Sequence, residues 1–170
     1  KTVALDKLGL TDYVITNGVA AGQKLTLDNL ANNGTLVLKA DTVAIDVNVK
    51  DAATGTADAL NVVLSKDGVL AGGTLTAANV ESLKLTATDP VTTNGIATHT
   101  LTLKADKATA LTVEGNAGLN LTLDPATVKL ASIDGSTMTG GVLTAAANGA
   151  VAMTIKGGAG NDVLSASSGA

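Results

Sequence analysis

The chain has 170 residues, 45% of them hydrophobic, with a net charge of −4 and no cysteine. That size and apolar content suffice for one domain with a core. The absence of Arg, of any aromatic platform and of Cys excludes a nucleic-acid binder, a disulfide framework and a thiolate metal site or nucleophile. Phe and Trp are missing and Tyr13 is the one aromatic, so the core has to be built from Leu, Val, Ile and Ala. The 25 Thr residues add β-branched side chains that favour strands. Among the acidic residues, 13 are Asp and 2 are Glu. That bias points to turns, where a short carboxylate bonds nearby N–H groups, or to oxygen-ligand sites for a hard cation.

In chain order, alternating apolar and polar positions predict strands at KLTLDNL (24–30), TLVLKAD (35–41), VAIDVNV (43–49), ALNVVL (59–64) and SLKLTATD (82–89). Asn-Gly pairs at 17–18, 33–34, 94–95 and 148–149 mark tight turns. Because Asn-Gly is also the strongest short hairpin signal, an antiparallel β-sandwich stays open for the first half. Pro90 to Gly95 is the expected loop between this irregular region, residues 1–95, and a regular one over 96–156. There the sequence repeats in steps of ten: LTLKAD at 101, LTVEGN at 111, LTLDPA at 121 and ASIDGS at 131. Each unit is a short strand followed by a charged residue and a turn former. A strand plus a corner of about ten residues is half a coil of a two-faced parallel roll, whose narrow interior suits small aliphatic side chains. The expected fold is therefore all-β, a parallel β-helix or β-roll solenoid.

The last region, residues 157–170, contains GGAGNDVLS, which matches Gly-Gly-x-Gly-x-Asp-x-U-x (U, a large aliphatic) at Gly157, Gly158, Gly160, Asp162 and Leu164. The glycines are expected to take positive φ and aim carbonyl oxygens at one point, to which Asp162 adds a carboxylate. Calcium suits such a site, being hard and tolerant of irregular geometry. Asp41, Asp106, Asp124 and Asp134 close strands elsewhere and are further candidate ligands, each also readable as a solvated turn residue. The Gly-rich stretch lacks the third glycine and the Lys-Ser/Thr of a nucleotide loop.

The nonapeptide resembles the calcium-binding RTX repeat. The runs TAANVESLKLTATD (76–89), LTLKADKATALTVEGNAGLNLTL (101–123) and VAMTIKGGAGNDVLSASSGA (151–170) look like RTX-type bacterial surface-layer proteins and related large adhesins of Gram-negative bacteria. The resemblance implies type I secretion, ordering of the repeats by Ca²⁺ outside the cell, and self-association into a surface lattice or stalk. In such rolls an ion lies between successive corners, so one nonapeptide supplies half a shell. The stretch after it, with Ala166 and Ser167 in place of paired glycines, breaks the pattern, and a truncated calcium-binding array is expected. The alternative is the non-catalytic RTX repeat region of a secreted enzyme, toxin or adhesin. His99 has no partner in the sequence and is expected to be an exposed loop residue. With no Gly-x-Ser-x-Gly elbow and no aromatic-lined sugar cleft, the chain is not expected to be an enzyme. It holds no run of roughly 18 apolar residues for a membrane-spanning helix. Thr pairs at spacing two raise the idea of a flat Thr face of the ice-binding kind, which the irregular recurrence disfavours.

Overall fold

A computed structural model describes residues 1–148 and 151–169. Its strands are β1 (Thr2–Ala4), β2 (Asp12–Ile15), β3 (Leu25–Leu30), β4 (Gly34–Leu38), β5 (Ala44–Val49), β6 (Ala59–Ser65), β7 (Ala71–Ala77) and β8 (Ser82–Thr88). They continue with β9 (Thr98–Lys104), β10 (Ala110–Gly115), β11 (Gly118–Leu123), β12 (Ser132–Met138), β13 (Leu143–Ala146), β14 (Ala152–Lys156), β15 (Val163–Ser165) and β16 (Ser167–Ser168). Odd-numbered strands form one sheet in chain order and even-numbered strands form the other. The chain thus alternates between two sheets and winds a parallel β-solenoid of about 7 turns. No helix among the described residues is long and apolar enough to cross a membrane.

Pairing is parallel from β1–β3 and β2–β4 onward, which overturns the antiparallel alternative for the first half. Only β14 and β16 run antiparallel. The Asn-Gly hairpin signal misleads for a local reason. Asn33 takes a left-handed φ of 61° and so turns the chain, but Gly34 then enters β4, in the opposite sheet from β3. A corner between two sheets needs the same left-handed residue that a hairpin needs. Gly149, in the last Asn-Gly pair, lies outside the described residues.

Both sheets run unbroken across residues 90–95: β7 pairs with β9 and β8 with β10 on either side of a short 3₁₀ turn at Thr92–Asn94. The ten-residue step corresponds to alternate sheets. Leu101 of β9 lies beside Leu121 of β11, and Leu111 of β10 beside Ile133 of β12.

Alternation sends every second side chain inward. In-register pairing then stacks like on like: Leu25, Ile45, Leu75, Leu103 and Leu123 form one column. Leu60, Leu83, Leu111, Ile133 and Ile155 form another in the facing sheet. Aliphatic residues from Leu5 to Met153 make one continuous core. Strands about 4.8 Å apart leave each inward residue one coil of thickness, which a Leu fills. Tyr13 packs against this core near one end, its hydroxyl 2.9 Å from the Leu10 carbonyl and 3.1 Å from that of Leu5.

The expectation for His99 is corrected. It sits in β9, fully buried, its Nδ1 accepting the Leu70 N–H at 3.1 Å and its Nε2 3.0 Å from the Thr88 carbonyl. As assigned, this is a neutral ring with the proton on Nε2. The turn at Asn94–Gly95 ends two residues earlier than needed to keep it outside. On the outward face of the odd-numbered sheet, Thr74, Thr102 and Thr122 stack unbroken, but the neighbouring column Thr26, Asp46, Thr76, Lys104 is interrupted by charges. No regular Thr face results.

Candidate metal centre

Residues 157–162 connect β14 to β15 and lie against the preceding coil. The Ala159 N–H donates to the Met138 carbonyl at 3.0 Å, and the Leu143 N–H donates to Asp162 Oδ1 at 2.8 Å. The glycines permit this contact. A Cβ would fall 2.5 Å from the Gly135 carbonyl oxygen if placed on Gly158, and 2.0 Å from that of Gly141 if placed on Gly160. On Gly157 it would fall 1.9 Å from Asp162 Oδ2. None of the three has a positive φ, so the expected reason for glycine here is corrected. Close approach of backbone to backbone and of carboxylate to backbone demands it instead.

The donor set fits calcium in type. Asp162 Oδ1 is committed to Leu143, whereas Oδ2 accepts no protein hydrogen bond among the described residues. Asp162 Oδ1 and the Gly141 carbonyl oxygen both lie close to Gly160. One available carboxylate oxygen beside backbone carbonyls is hard-cation chemistry, but calcium takes 6–8 oxygens. The remainder has to come from water or from another oxygen-bearing corner.

The other nominated carboxylates occupy separate coils and act on backbone. Asp41 Oδ1 accepts from Lys66 Nζ at 2.8 Å and from the Ala71 N–H of the next coil at 3.1 Å. Those bonds, Lys66 first, hold its carboxyl below the usual carboxylate range. Asp106 Oδ1 accepts the Asn79 N–H at 3.0 Å, and Asp124 Oδ1 accepts the Ala126 N–H at 2.8 Å within its own turn. Asp134 accepts the Ser136 N–H at 3.0 Å, and Ser136, hydroxyl first, lowers its pKa. None of the four joins Asp162. Among the described residues no group of three His, Cys, Asp or Glu side chains is placed to hold a metal.

Sequence reasoning missed the buried polar corners. Asp89 is almost wholly buried, with the Val91 N–H on Oδ1 at 3.1 Å and the Ala97 N–H on Oδ2 at 2.9 Å. Asn116, one coil on, closes both backbone groups of Asp89: Oδ1 accepts its N–H at 2.9 Å and Nδ2 donates to its carbonyl at 2.8 Å. Thr127 bridges in the same way, accepting from the Ala105 N–H and donating to the Leu103 carbonyl. A polar residue two places before Val91, followed directly by Pro90, was the available signal for Asp89. Nothing local marks Asn116 or Thr127.

No protein-family model matches the chain, and no curated protein matches it.

Proposed function

We propose that this chain is a structural solenoid of a calcium-dependent bacterial surface layer, exported by type I secretion and self-associating outside the cell. The observation that carries the reading is the corner at Gly157–Asp162. Three glycines give way to main-chain and carboxylate oxygens, and Asp162 ties the corner to the coil before it through Leu143. In this reading Gly157, Gly158, Gly160 and Asp162 make the calcium corner, Asp162 being the charged ligand. Calcium would supply charge neutralisation and a bond between neighbouring corners, so that ordering follows entry into a calcium-rich medium. The repeated coils support an assembly role, since each presents the same two outward sheet faces and a rod of like units offers a long lateral surface.

Calcium titration followed by far-UV circular dichroism and light scattering tests this. Gain of strand signal or of scattering at about 10⁻⁴ to 10⁻³ M, the range of extracellular modules, and its reversal by chelator are expected. Asp162→Ala should shift the response to higher calcium by tenfold or more. A chain whose signal and scattering ignore calcium would refute the proposal.

A further inference from the structure

A second corner carries the same cradle without the motif. Asp58 precedes β6, and the pairing of Ala59 with Ser82 sets Glu81 at the equivalent position one coil on. Asp58 is 5% exposed, and its Oδ2 is buried without a hydrogen-bond partner, which no other side-chain oxygen or nitrogen among the described residues shares. Desolvating a carboxylate oxygen with nothing to compensate it is strongly unfavourable, so the group calls for a ligand. Lys107 and Lys129 line the groove over this corner, yet the ion pairs of the described residues all lie elsewhere.

Glu81 faces Asp58 across the coil boundary. Its Oε2 accepts the Asp58 N–H at 2.9 Å, and both the Glu81 and Ser82 N–H groups return to the Asp58 carbonyl at 3.0 Å. Oε1 makes no protein hydrogen bond. Asp58 Oδ2 lies 1.9 Å, and its Cγ 2.7 Å, from where a Cβ on Gly55 would stand. The same two distances relate Gly157 to Asp162. Two unrelated stretches, GTAD and GGAGND, therefore fold a carboxylate into the space left by a missing side chain.

We propose that Asp58 and Glu81 form a second site for a hard divalent cation, calcium before magnesium, at a corner in the middle of the solenoid. The cation enters through the groove lined by Gly55, Thr56 and Glu81. The turn above Asp58 is closed by its own short bonds, from the Thr54 and Gly55 N–H groups to the Asp51 carbonyl at 3.1 Å, and can shift without breaking the sheets. This inference does not rest on the nonapeptide reading.

Thermal unfolding in Ca²⁺, in Mg²⁺ and in chelator tests it on protein already carrying Asp162→Asn, which removes the nonapeptide ligand. Calcium a hundredfold above its Kd is expected to raise Tm by roughly 5–10 °C, with a smaller rise in magnesium. Adding Asp58→Asn, or Gly55→Ala to fill the cradle, should abolish the rise, and Glu81→Gln should weaken apparent affinity at least tenfold. Should Asp58→Asn fail to fold, the Glu81→Gln comparison decides. An Asp162→Asn protein indifferent to calcium, or a rise that survives Asp58→Asn or Glu81→Gln, overturns the proposal. Equal responses of wild type and Asp162→Asn would instead count against the nonapeptide, so the two sites fail separately.

Discussion

Gly115 shows what single residues contribute to this fold. Its φ is +114°, and a Cβ there would lie 1.9 Å from the Ala87 carbonyl oxygen, in the backbone of the adjacent strand. Both the strain and the clash fall on main chain that cannot swing away, so Gly115→Ala should destabilise by about 2–4 kcal/mol in urea unfolding. Asp89 is the matching polar case. The N–H groups of Ala97 and then Val91 hold its carboxyl below the ordinary value. A carboxyl with a lowered folded-state pKa contributes stability that is present above its unfolded value and is lost as pH falls through the folded one. Acid should therefore weaken the protein below about pH 4, and Asp89→Asn should flatten that part of the stability profile while lowering stability at pH 7. At this scale the sequence was least legible. His99 and Asp89 looked like loop residues because their partners lie at Leu70 and Asn116, one coil away, where no local pattern reaches.

Strands were far more legible, because alternation is a local property. LTLKAD and SLKLTATD show their inward residues directly, and Leu101, Leu103, Leu83 and Leu85 are all buried. Leu85→Ala in β8 should cost about 2–5 kcal/mol, and the outward Thr122→Ala within about 0.5 kcal/mol, as read by denaturant midpoints. What alternation cannot give is the partner strand. The offset between paired residues runs from 19, between Thr144 and Val163, to 30, between Ala44 and Thr74. The ten-residue beat survives only where connections are short, as between Leu101 and Leu121. Longer corners absorb the difference in the first half, which is why its Asn-Gly turns read equally well as hairpins.

For the whole molecule, the absence of aromatic rings and the abundance of Thr already favoured two closely spaced sheets, and the architecture followed from those bulk properties. Function rests on the corners, where carboxylates and amides from one coil satisfy or cradle the backbone of another. Asp162 was visible in the sequence through its glycines, whereas Asp58 was not, since Gly55 stands alone before it. The most direct measurement is an anomalous difference map from crystals grown in calcium. A peak about 2.3–2.6 Å from the Asp162 carboxylate, on the side of the Gly141 carbonyl, is the predicted result. A corner with Asp162 bonded to Leu143 and no peak beside it at saturating calcium would contradict the account.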